Sequence, residues 1–67
     1  MAHKDALHVI EHARTIIILR EDPEKLLHVG FNTLGRPLEV ITDTSVETGR
    51  VAVIHACKLT PSYREFL

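Results

Sequence analysis

Turn-forming residues recur at short intervals in this chain and cut its middle into strand-length pieces. Asp22-Pro23-Glu24, Asn32-Thr33-Leu34-Gly35 and the looser Thr44 to Gly49 segment carry the residues that supply the backbone angles and local hydrogen bonds of a reversal. Proline presets the angle of a second turn position, and aspartate suits the position before it. Between the turns, apolar residues follow a period of two. Ile16, Ile17, Ile18 and Leu19 form a β-branched first run that ends at the charged Arg20, Glu21 and Asp22. Leu27, Val29 and Phe31 alternate with Leu26, His28 and Gly30 in a second, where Gly30 marks a candidate bulge. Leu38, Val40 and Thr42 alternate with Glu39, Ile41 and Asp43 in a third, and Pro37 belongs at its start or on an edge. Arg50 to Lys58 is the fourth. Its two faces, Val51, Val53, His55 and Cys57 against Ala52, Ile54, Ala56 and Lys58, are both substantially apolar, which predicts a central or helix-covered strand.

Helical spacing brackets this sheet. Ala6, Val9, Ile10 and Ala13 recur on one side while Lys4, His8, Glu11 and His12 fall on the other, predicting an amphipathic helix from Asp5 to Arg14. Thr60-Pro61 reads as a helix cap followed by proline at the first helical position, opening a short helix to Leu67. The expected fold is one α+β domain over residues 1–67: an N-terminal helix, a four-stranded antiparallel sheet and a short C-terminal helix. Leu27, Val29, Phe31, Leu38, Val40, Val53 and Ile54, with Ile10 and Ile17, are the expected core.

A chain of 67 residues buries only about 60% of the surface its unfolded form exposes, so its stability calls for a supplement. Cys57 is the only cysteine, which removes an internal disulfide and the usual cysteine-based zinc cages. A partner chain remains, and a homodimer or heteromeric complex is expected, because a small sheet leaves strand edges uncovered. No apolar run approaches the roughly 20 residues of a membrane span, and Met1 to His12 lacks the apolar centre of a secretory signal. A cytoplasmic location without membrane attachment is expected. Eight Lys and Arg against nine Asp and Glu leave a net charge of −1, so any nucleic-acid binding must come from a local patch.

Three constellations have chemical potential. His8-Val9-Ile10-Glu11-His12 matches the H-x-x-E-H pattern of inverted zinc proteases, but without a third ligand or a shaped cavity it reads as a solvated helix face, and no metal is assigned. Cys57 and His55 share a strand face, a conceivable nucleophile pair with no sign of an acyl-transfer pocket around it. His55, Lys58, Tyr63, Arg64 and Glu65 gather where the last strand meets the last helix. Their types suit RNA cleavage, in which a base removes the 2′-hydroxyl proton, cations stabilise phosphate charge and an acid protonates the leaving oxygen.

The run Gly35-Arg36-Pro37-Leu38-Glu39-Val40-Ile41, preceded by Gly30 and followed by Ile54-His55-Ala56-Cys57-Lys58-Leu59-Thr60, resembles the BrnT-type toxins of the RelE-like ribonuclease superfamily. There a G-R-x-L-x-V-x strand precedes one that carries I-x-A-x-K-x-T into a helix. The end of the last strand also resembles short actinobacterial toxin-like proteins. The resemblance implies a compact antiparallel sheet with flanking helices, an endoribonuclease that needs no cofactor, and a bacterial toxin neutralised by a cognate antitoxin protein. Arg36, Lys58 and Arg64 match basic positions of the pattern, which with Tyr63 makes them the expected RNA-binding set; His55, Lys58, Arg64 and Glu65 are the expected catalytic set. His55 and Cys57 depart from it, standing where serine and arginine are more usual, and the arginine-rich C-terminal helix is reduced to Arg64. A non-enzymatic dimerisation or protein-interaction module is the alternative the residues leave open.

Overall fold

A computed structural model describes residues 3–67; Met1 and Ala2, the start of the segment read for a secretory signal, lie outside the described residues. The α+β architecture is the expected one. Helix α1 (His3–Glu11) leads into strands β1 (Thr15–Glu21), β2 (Glu24–Phe31), β3 (Pro37–Thr44) and β4 (Val51–Lys58), and a 3-10 helix, η1 (Pro61–Phe66), ends the chain. The strands form an antiparallel meander in the order β1-β2-β3-β4. No described helix is long and apolar enough to cross a membrane.

The turns form where their residues dictate. Glu21 pairs with Glu24 across Asp22 and Pro23. That pairing makes Pro23 the third turn residue and not the second. In the next turn the Asn32 side-chain oxygen accepts from the backbone N–H groups of Leu34 at 3.0 Å and Arg36 at 2.9 Å, while Gly35 takes a φ of +76° that other residues resist. Gly30 is not a bulge. It pairs regularly with Leu38, and a side chain there would meet the Ala13 Cα at 3.4 Å, so this glycine lets the α1–β1 connection lie against β2. The register breaks fall at Leu19 and Ile54 instead.

Alternation gives the sheet two apolar faces, each with its own cover. On one, α1 lays Ala6 and Val9 over Leu38 and Val40, with Ile10 and Ala56 at the margin. On the other, Leu59, Tyr63, Phe66 and Leu67 fold back over Leu27 and Val29, joined by Ile17 and Ile41. The Thr15 hydroxyl donates to the Phe66 carbonyl and ties the chain end to β1. β4 departs from expectation: it is an edge strand, and Val53 and Ile54 are exposed and outside the core. Helix α1 has only nine residues, about 13 Å of length, and rests on β2 and β3 without reaching the far end of β4. Phe31 is half-buried beneath the Arg14 guanidinium, 5.8 Å from its ring centre. The last helix is a six-residue 3-10 turn whose Thr60 side chain makes no capping bond.

Candidate functional site

The end of the sheet where β3 begins and β4 ends carries a concave surface of about 640 Å³. Arg36 reaches it from the turn before β3, Lys58 is the last residue of β4 and pairs with Leu38, and Arg64 comes from η1. The Leu59 N–H donates to the Pro37 carbonyl at 3.2 Å, which carries the ladder past Lys58 and turns the chain toward η1. Asp5 and Asn32 complete the polar rim. Neither ion pair among the described residues engages Arg36, Lys58 or Arg64, so three cations share the cavity with a single carboxylate.

Of the six expected site residues, the cavity therefore collects Arg36, Lys58 and Arg64. Tyr63 packs into the core beneath η1, its ring 6.1 Å from that of Phe66. Glu65 is exposed and outside the lining. His55 projects from the sheet face opposite Lys58, because residues three apart on a strand point oppositely. Its Nε2 lies 3.1 Å from Oε2 of Glu39 and 3.2 Å from Sγ of Cys57.

Glu39 is a buried carboxylate that strand alternation did not single out. It is only 4% exposed, and its Oε1 accepts from the backbone N–H of Thr60 at 2.6 Å. Burial pushes its carboxyl upward, but hydrogen bonds from Thr60 and His55 and the nearby imidazole charge outweigh that effect and hold it below the ordinary value. Burial and the Glu39 charge both push the Cys57 thiol up. The local signal was a glutamate at an inward strand position opposite a His-x-Cys pair, legible only once the β3–β4 register is known.

On the α1 face, a second concavity of about 590 Å³ opens beyond the helix. Buried His28 lies at its floor, with Nε2 3.0 Å from the Thr42 hydroxyl, Nδ1 without a partner and its pKa lowered by burial. Exposed Leu7, Val51 and Val53 stand around it, and Ile16 and Ile18 extend the apolar surface along β1. His8 and His12 stack with ring centres 4.5 Å apart, and among the described residues no third ligand joins them. No family model matches this sequence, and comparison with curated proteins and with solved structures gives no significant match.

Proposed function

We propose that this protein binds the phosphate backbone of RNA in the cavity of Arg36, Lys58 and Arg64, as the toxin half of a BrnT-like pair held in check by an antitoxin protein. The observation that carries the reading is the meeting of three cations from three separate elements in one concavity, on a molecule whose net charge is −1. Guanidinium groups suit phosphate through their planar forks, and the Lys58 ammonium adds a mobile point charge. Binding is better supported than cleavage, because His55 and Glu65, the expected acid and base, lie outside the cavity lining.

Fluorescence anisotropy of a labelled single-stranded RNA tests it. Three phosphate contacts give a slope of log affinity against log salt of about −2, and each Lys or Arg replaced by alanine reduces that slope by about 0.7. Salt-independent binding, or an Arg36→Ala/Lys58→Ala/Arg64→Ala variant that binds like the parent, would reject the site. Growth arrest on induced expression tests the toxin role separately.

A second reading, the non-enzymatic interaction module, is favoured by the apolar surface of Leu7, Ile16, Ile18, Val51 and Val53, between 38% and 64% exposed on one sheet face. Sedimentation at micromolar concentration distinguishes it: self-association that Ile18→Glu abolishes supports a second copy on that face. A parent that sediments as a monomer removes the homodimer.

A further inference from the structure

We infer that Glu39, His55 and Cys57 form a binding site for one divalent transition-metal ion of the zinc type. The donors come from two paired strands. Glu39 on β3 stands directly across from Cys57 on β4, and His55 precedes Cys57 by two, so all three project from the same face. Nε2 of His55 is 3.1 Å from Oε2 of Glu39 and 3.2 Å from Sγ of Cys57, and the three donor atoms lie within 4.8 Å of one another. A tetrahedral zinc with bonds of about 2.0–2.3 Å spaces its ligand atoms about 3.3–3.8 Å apart, so the side chains need shift only slightly to accept it.

One imidazole nitrogen serves two neighbours in this cluster. Nε2 of His55 faces the Glu39 carboxylate and the Cys57 sulfur at once, and that sulfur also lies 3.2 Å from the Lys58 carbonyl. A cation at the centre meets all three lone pairs at once. The same geometry disfavours a nucleophilic Cys-His-acid triad, in which the thiol and the acid engage different imidazole nitrogens; here both face Nε2.

The surroundings are also those of a ligand set. The Thr60 N–H holds the second carboxylate oxygen of Glu39 and aims Oε2 at the cluster, as outer partners of metal ligands commonly do. The Glu39 side chain is 6% exposed while that of His55 is 43% exposed, which leaves a fourth coordination position open to water. Bound metal would clamp edge strand β4 to β3, a staple of the kind a domain this small exploits.

Titration of the full chain with Co²⁺ alone tests the site, because thiolate coordination produces a cobalt charge-transfer band that histidine and carboxylate sites lack. The parent is expected to show the band saturating at one equivalent and displaced by Zn²⁺. Cys57→Ser and His55→Gln, each checked for folding by circular dichroism, should lose it and weaken Zn²⁺ binding by about tenfold or more. His8→Gln/His12→Gln should keep it, as should Arg36→Ala/Lys58→Ala, which separates metal binding from the phosphate-binding cations of the cavity that Cys57 also lines. A folded parent without the band, a band that survives His55→Gln, or metal binding lost only with His8 and His12 would overturn the assignment.

Discussion

The middle of the sheet and its edges are built from the same residue types and end in different environments. On β2 and β3, Leu27, Val29 and Val40 are at most 2% exposed, whereas Ile18 on β1 is 58% exposed and Val51 and Ile54 on β4 are 64% and 52% exposed. Both faces of the central pair are covered, one by α1 and the other by the C-terminal segment. Neither cover is wide enough for four strands. β-Branched composition thus reports that a segment is a strand, while its burial depends on how many neighbours and layers surround it.

The sharpest way to break this comparison is to truncate one residue in each region. Leu27→Ala is expected to cost about 2–5 kcal/mol, lowering the melting temperature by roughly 8 °C or more, because the site is closed by η1 and cannot collapse. If Leu27→Ala melts with the parent, the C-terminal segment does not cover that face. A smaller loss, about 1–3 kcal/mol in a urea titration, is expected for Glu39→Ala, which leaves the Thr60 N–H without its acceptor and loosens the turn toward η1.

Protonation of His28 gives a third test. Burial lowers its pKa in the folded state below the unfolded value of about 6.5, so the unfolded chain binds the proton more readily. The stability associated with neutral His28 is therefore complete above about pH 6.5 and is lost as pH falls from there toward the folded pKa. His28→Gln should flatten this part of the pH–stability curve, and an unchanged curve would assign the acid sensitivity elsewhere. The smallest effect belongs to the edge: Ile54→Ala should change stability by no more than about 0.5 kcal/mol in monomeric protein. A larger loss that grows with protein concentration would mean that another chain covers β4.

Much of the candidate cavity was legible before the fold was known. Lys58 and Arg64 flank the passage from strand to helix, so their proximity follows from a short connection, whereas Arg36 joins them through the β3–β4 register that sets Leu38 against Lys58. The expected catalytic pair, His55 and Glu65, lies outside the lining for a local reason. His55 is three residues from Lys58, an odd step that turns it to the other face, and six residues of 3-10 helix leave Glu65 outside the lining.

The sequence by itself determined the strand number, the positions of the three reversals and the amphipathic helix, because period-two alternation, turn chemistry and helical spacing act over a few neighbouring residues. Only the tertiary structure decided that β4 lies at the edge, that Gly30 makes room for the α1–β1 connection, and that Glu39 meets His55 and Cys57. Those outcomes depend on strand register and on the reach of the covering segments. A shift of one residue in register would turn Glu39 and its partners to opposite faces, and nothing within a single strand specifies that choice.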